Sequence, residues 1–126
     1  MRLMLDTHIL LWWLQDNPRL GAPARALIAD SANQVLVSLA TPWEISVKHR
    51  VGKMDDSGAA IMEALLDQGI AMVDLKPAHL RVLEAMPLHH RDPFDHLIIA
   101  QALAERAVVI TDDAKFPVYG VRCIPA

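Results

Sequence analysis

Cysteine is almost missing from this chain: Cys123 is the single one among 126 residues. That excludes an internal disulfide and a cysteine-ligated zinc site, and it fits a reducing compartment. Glycine is scarce as well, with five in all, and no glycine-rich turn follows the first apolar run, so a dinucleotide-binding crossover is excluded. No apolar stretch approaches the ~20 residues that cross a bilayer. Met1 to Asp6 carries no apolar region long enough for a signal peptide, so the expected location is the cytoplasm, without membrane contact. The net charge of −3 offers no bulk cationic field, and any nucleic-acid contact has to come from a local basic patch. Low-complexity tracts and internal repeats are absent too.

What is present is globular: 53% hydrophobic and 21% charged residues, at a length that predicts one domain over residues 1–126 with a sizeable core. The apolar excess hints at a partner surface. Arg2 to Leu5 reads as a short buried strand, and Asp6-Thr7-His8 turns into Ile9 to Leu14, apolar on all sides and so buried or set against another chain. A helix is predicted from about Pro23 to Ala32, a strand over Val35 to Leu39, and a helix opened by Thr41-Pro42 and closed near Gly52. Another helix runs through Ile61 and Leu65 to Gly69, followed by a strand within Ile70 to Leu75 and a helix from Pro77 to Ala85. A helix from Pro93, a strand over Val108 to Thr111 and a last short strand around Val121 to Ile124 complete the chain. Such alternation calls for an α/β fold, a parallel sheet with helices on both faces.

The chemistry concentrates at the strand-to-helix junctions. In Arg91-Asp92-Pro93-Phe94-Asp95, Asp92 takes the N-cap position, Pro93 the first helical position and Asp95 the third, among free backbone N–H groups that keep a carboxylate ionised. Taken alone, Asp95 reads more simply as half of a capping arrangement, and it gains a chemical role only if other acids converge on it. Thr41-Pro42-Trp43-Glu44 repeats the grammar, with Thr41 as cap and Glu44 third. Asp6 ends the first strand, and Asp112 with Asp113 ends the strand begun at Val108. In a parallel sheet these carboxyl ends share one edge, where open α/β folds build their sites. Gathered carboxylates repel unless a cation relieves them. Oxygen-only ligands suit Mg²⁺ or Mn²⁺, ions that support phosphodiester hydrolysis. Lys48, His49, Arg50 and Lys53 are candidate phosphate contacts, although cations in a helix's last turn also simply complement its dipole.

Together, Leu5-Asp6-Thr7, Trp43-Glu44-Ile45, Asp92-Pro93-Phe94-Asp95 leading into Leu97-Ile98-Ile99-Ala100-Gln101-Ala102, and Thr111-Asp112-Asp113 followed by Phe116 resemble PIN domains. More narrowly they resemble the VapC-type toxins of bacterial toxin–antitoxin pairs, over nearly the whole chain and in the right order. The resemblance implies a three-layer α/β/α sandwich around a mainly parallel sheet. It also implies an Mg²⁺- or Mn²⁺-dependent endoribonuclease acting on structured RNA such as tRNA or rRNA, a homodimer, and a cognate antitoxin that covers the acidic groove. Carried over by position, Asp6, Glu44, Asp95 and Asp113 match the family's metal-binding acids, and Thr111 matches its hydroxyl position. Thr7 is a weaker match, since N-capping the first helix explains it equally well. Asp92 reads first as a cap and second as a further acid, and Asp112 as an exposed neighbour.

Two other classes share parts of this pattern. A phosphoacceptor signalling domain has the same size and alternation, but it needs an acidic pair after the first strand, whereas here the pair comes last. A catalytically inactive PIN-like module that binds RNA or protein would keep the fold and lose the cutting. Six histidines, among them His89, His90 and His96, lack zinc spacing and read as loop or helix-surface residues, with His89 to Arg91 a possible RNA-facing group. Trp12, Trp13 and Trp43 read as core or dimer packing rather than base-stacking platforms. The segment around Trp12-Trp13 is the expected dimer contact, and Met62, Met72 and Met86 read as core fillers.

Overall fold

The centre of the molecule is β1 (Arg2–Leu5), which pairs in parallel with β2 (Gln34–Ser38) on one side and β4 (Val108–Ile110) on the other. β3 (Ala71–Val73) extends the sheet beyond β2, and β5 (Cys123–Ile124) extends it beyond β4, giving the order β3-β2-β1-β4-β5 with every neighbour parallel. The computed structural model describes residues 1–126. Six helices connect and cover the strands: α1 (Thr7–Leu14), α2 (Ala22–Ala29), α3 (Ala40–Arg50), α4 (Gly58–Gln68), α5 (Pro77–Ala85) and α6 (Pro93–Ala104). The three-layer sandwich expected from the sequence is therefore the fold, and no helix is long and apolar enough to cross a membrane.

The strands are apolar throughout because both faces are covered. Leu3, Leu5, Val35, Val37, Val108 and Ile110 point into one core with Ile9 and Leu10 of α1, Ile28 of α2 and Ile61 and Leu65 of α4. Their alternating neighbours Met4, Leu36 and Val109 point into a second core with Ile98, Ile99 and Ala102 of α6 and with Phe116 and Tyr119. α6 buries Leu97 through Ala102 without interruption, as a helix between other layers does. Gly58 is where α4 meets α3 most closely, since a β-carbon there would collide with Ser46 Oγ and the Pro42 carbonyl.

The chain leaves β1 toward β2 and β3, then crosses back to β4 and β5. The reversal opens a crevice outside the carboxyl ends of β1 and β4, the place where open α/β sheets hold ligands. Asp6 and Thr111 follow those two strands directly.

Several local expectations change. α3 starts at Ala40, with Leu39 already in helical geometry and Ser38 Oγ accepting from the Ala40 N–H. Thr41 is thus inside the helix rather than its cap, and Glu44 is not in the first turn. Thr7 does not cap α1 either: Asp6 does, accepting from the Thr7 N–H at 2.7 Å. The reason is the same in both cases, because each strand passes into its helix without a connecting loop. Trp43 is 52% exposed and meets Phe94 edge-on, and Met62 is 41% exposed, so neither is a core residue. Trp12 and Trp13 are half-buried against their own core, with Trp13 Nε1 donating to Gln68. His79 is fully buried, contrary to the surface reading of the histidines. Its Nδ1 accepts from the Lys76 N–H, which leaves Nε2 to donate to Glu105 Oε2 at 2.8 Å.

Asp92 caps α6 as expected, accepting from the N–H groups of both Phe94 and Asp95. Asp92→Ala is expected to cost about 1–2 kcal/mol, read as a lowered denaturant midpoint at unchanged slope. An unchanged midpoint would show that water replaces the cap fully.

Candidate active site

Asp6, Glu44 and Asp95 arrive from the end of β1, from α3 and from α6, and each is at least nine-tenths buried. Hydroxyl groups hold the first two. Asp6 Oδ2 accepts from Thr111 Oγ1 at 2.7 Å, while Thr7 Oγ1 donates to Glu44 Oε1 at 2.8 Å. Thr7 has one proton to give, so the 3.1 Å contact between Thr7 Oγ1 and Thr41 Oγ1 is donated by Thr41. Thr41 and Thr7 thus form a relay of hydroxyls that orients Glu44, and Thr111 orients Asp6. The remaining Glu44 oxygen is held by Lys48 Nζ at 2.6 Å.

Asp95 has a different partner. Its own N–H is spent on Asp92, and its carboxylate meets His90 Nε2 at 3.1 Å. His90 Nδ1 in turn lies 2.7 Å from the hydroxyl of Tyr119, which also accepts from the N–H groups of His89 and His90. Asp95 is therefore not a capping residue: Asp92 does that work and leaves Asp95 facing the crevice.

The electrostatics follow from this crowding. Burial raises the Asp95 carboxyl from 3.8 to about 7; the His90 bond opposes the rise, and repulsion from Asp92, Asp6 and Glu44 adds to it. Burial likewise raises Asp6 against the bonds from Thr111 and Thr7, with Glu44 adding repulsion. The hydrogen bond to Glu44 raises Lys48, helped by attraction to Glu44, Asp92 and Asp95. The acids share one field, and Lys48 brings an ammonium into it.

This donor set suits a hard divalent cation: oxygen only, buried, and crowded so that burial and repulsion raise Asp95 and Asp6, which a cation would relieve. No three His, Cys, Asp or Glu side chains are arranged to ligate one ion as they stand. Mg²⁺ commonly binds through one or two carboxylates and keeps waters in the rest of its shell, so any one or two of Asp6, Glu44 and Asp95 would suffice, the others acting through its waters.

A PIN domain family model matches residues 3–121. The chain belongs to the PIN domain family. Ribonuclease VapC16 of Mycobacterium tuberculosis is 31% identical to this PIN domain over 70 residues, half of each chain. The chain thus spans about half the length of that curated relative. Among solved structures, VapBC2 from Rickettsia felis bound to a DNA fragment from their promoter superimposes with a TM-score of 0.75 at 19% identity, over 99% of this chain and 98% of that one. VapBC-1 from nontypeable Haemophilus influenzae does so at 0.68 with 19% identity and the same coverage. At such identities the likeness is one of fold.

Of the residues named from the sequence, this PIN domain brings Asp6, Glu44, Asp95, Thr7 and Thr111 together. Asp113 is half-buried and lines a cavity together with Asp6, its carboxylate accepting from the Lys115 N–H and its N–H reaching Thr111 Oγ1. Asp112 is exposed, with Oδ1 accepting from the Ala126 N–H. Lys48 turns into the acids rather than outward, and His49 Nδ1 lies 3.0 Å from the Met54 carbonyl oxygen. Arg50, Lys53 and Arg91 are exposed and free of ion pairs, with Lys53 already past the end of α3. Three residues of the network, Thr41, His90 and Tyr119, were not assigned these roles from the sequence. His90 had a signal, standing one turn ahead of Asp95. Tyr119 had none, because its partner lies 29 residues away.

Proposed function

We propose that this PIN domain is a divalent-metal-dependent endoribonuclease, the toxin of a toxin–antitoxin pair, which hydrolyses phosphodiester bonds in structured RNA such as tRNA or rRNA. The observation that carries the reading is the convergence of three buried carboxylates, with Asp95 held near 7 by burial and by its acidic neighbours. An uncompensated group of this kind costs stability, and a cation is the physical reason to keep it. The curated relative named a ribonuclease and the VapC-type sequence motifs support the toxin assignment.

Asp6, Glu44 and Asp95 would hold Mg²⁺ or Mn²⁺, whose chemistry when bound is activation of a water and screening of the charge on the attacked phosphate. Thr111 and the Thr41–Thr7 relay fix the carboxylates that would face the ion. Lys48 neutralises part of the acid group and can turn to a phosphate oxygen once a cation relieves Glu44. Arg50, Lys53 and Arg91, all exposed, would neutralise more distant phosphates. Asp113 and Asp112 line a cavity together with Asp6. Pairing with a cognate antitoxin, assembly as a homodimer and a cytoplasmic location belong to the same reading.

The test is incubation of the purified protein, free of any partner, with total tRNA and rRNA in Mg²⁺ or Mn²⁺ and in EDTA. Discrete fragments that disappear with EDTA are expected. Intact RNA in every condition, from folded protein that binds the metal, would favour the inactive binding module instead.

A further inference from the structure

A cavity of about 290 Å³ lies at the carboxyl ends of β1 and β4, lined by Asp6 but not by Glu44 or Lys48. Asp6, Asp112 and Asp113 line it together with His8, Ile9, Trp12 and Arg19. The lining that comes from α1 and the loop after it is unlike the rest of the site. His8 and Trp12 stand four residues apart on α1 with ring centroids 6.3 Å apart and planes tilted by 33°, giving two aromatic faces beside the opening. His8 is exposed, and Trp12 is half-buried with its inner side against the core.

Arg19 is presented by a pinned loop. Arg25 donates to Asp16 Oδ1 and to the Asn17 carbonyl, Asn17 Oδ1 accepts from the Arg19 N–H, and Leu20 is buried beneath. Arg25 thus takes the nearby acid, and Arg19, which lines the cavity, is left exposed with no ion pair. A loop braced by Arg25 that leaves its other guanidinium unpartnered beside an acidic crevice is arranged for an incoming anion.

We infer that this cavity is a nucleotide subsite, in which one unstacked RNA base lies against Trp12 and His8 while Arg19 takes the adjoining phosphate. This rests on the nuclease reading above. The chemistry favours a base over a phosphate beside the acids: the three carboxylates of the lining repel an anion, whereas Arg19, exposed and without an ion pair, is the lining group suited to the phosphate. Asp112 uses only Oδ1, for the Ala126 N–H, and its other oxygen remains an acceptor for an amino group on a base edge. The volume is at the lower end of small-ligand sites, roughly 300–1,000 Å³, a size for a single unstacked base rather than a base pair. Folded RNA is read through such splayed bases in loops and bulges, stacked on aromatic rings. The subsite lies next to Asp6, so a base bound there sets which phosphate reaches the acids.

The experiment measures binding of a labelled, short, mixed-sequence RNA oligonucleotide in EDTA over a salt series, for the parent, Trp12→Leu, His8→Ala and Arg19→Gln. The exposed His8 and Arg19 variants guard against a folding defect in Trp12→Leu. Expected are about tenfold weaker binding for Trp12→Leu and a salt slope reduced by about 0.7 for Arg19→Gln. With Mg²⁺, KM should rise while kcat is kept. Equal affinities and slopes across the four proteins, or no binding by the parent, overturn the inference. If the parent cuts RNA and the variants cut alike, the subsite fails and the nuclease stands. If binding needs Trp12 and Arg19 yet nothing is cut, the subsite stands and the nuclease reading fails.

Discussion

Asp95→Asn is expected to melt above the parent protein at pH 8 in EDTA while losing at least ~10²-fold in metal-dependent cleavage, the scale reached even by losing an outer partner of a metal site. The stability gain follows from the raised carboxyl. In the unfolded chain Asp95 sheds its proton near 3.8, and in the folded protein near about 7. Between those values the folded state holds more protons than the unfolded state, so its stability falls as pH rises and the loss is complete above the folded value. A shift of this size is worth on the order of a few kcal/mol, and Asn avoids it while keeping an oxygen for the His90 hydrogen bond. The parent should therefore lose stability from about pH 4 to about pH 7, whereas the variant shows a flatter profile and smaller stabilisation by Mg²⁺. Asp6, raised in the same direction, contributes residual slope in both proteins. Melting curves from pH 4 to pH 9 decide it: equal or lower stability of the variant at pH 8, with cleavage retained, would remove Asp95 from the site.

Lys48→Met is expected to do the opposite to the metal-free protein. The ammonium is the charge that relieves Glu44, which is 5% exposed. Breaking a fully buried pair costs about 3–5 kcal/mol; Lys48 is 36% exposed, so solvent screening reduces the expected loss to about 1–2 kcal/mol. Saturating Mg²⁺ should restore most of that loss, because a cation can take over the relief of Glu44. The measurement is the denaturant midpoint of parent and variant with and without the ion. A loss that Mg²⁺ leaves untouched would make the pair purely structural and remove Glu44 from the metal set. The two variants move in opposite directions for one reason: the first takes away a buried negative charge, the second the positive charge that answers it.

Much of this arrangement could be read along the chain. Asp92-Pro93 marks the start of α6 through local chemistry, and the structure starts the helix there, with Asp92 bonding two N–H groups. Gly69, in the left-handed region at φ 66°, ends α4 as expected. The apolar strands and their alternation with helices led to a parallel sheet, and all four strand pairings are parallel. The errors lie where a strand runs straight into a helix: Thr7 and Thr41 look like caps in sequence, and each spends its hydroxyl across the sheet instead. A hydroxyl's choice between a neighbouring N–H and a distant carboxylate depends on what the fold carries within 3 Å, which local propensity does not encode.

The sequence by itself determined the class of fold, the helix start at Asp92 and the acids at the strand ends, because these depend on periodicity and on chemistry within a few residues. Tertiary structure alone decided which acids are buried together, that Lys48 serves Glu44 rather than solvent, and that Asp95 leans on His90 and Tyr119 while Asp113 accepts from the Lys115 N–H. Those outcomes depend on strand order and on contacts between distant segments. A carboxylate's protonation follows from the charges and burial around it, and that environment exists only when the sheet has brought the junctions to one edge.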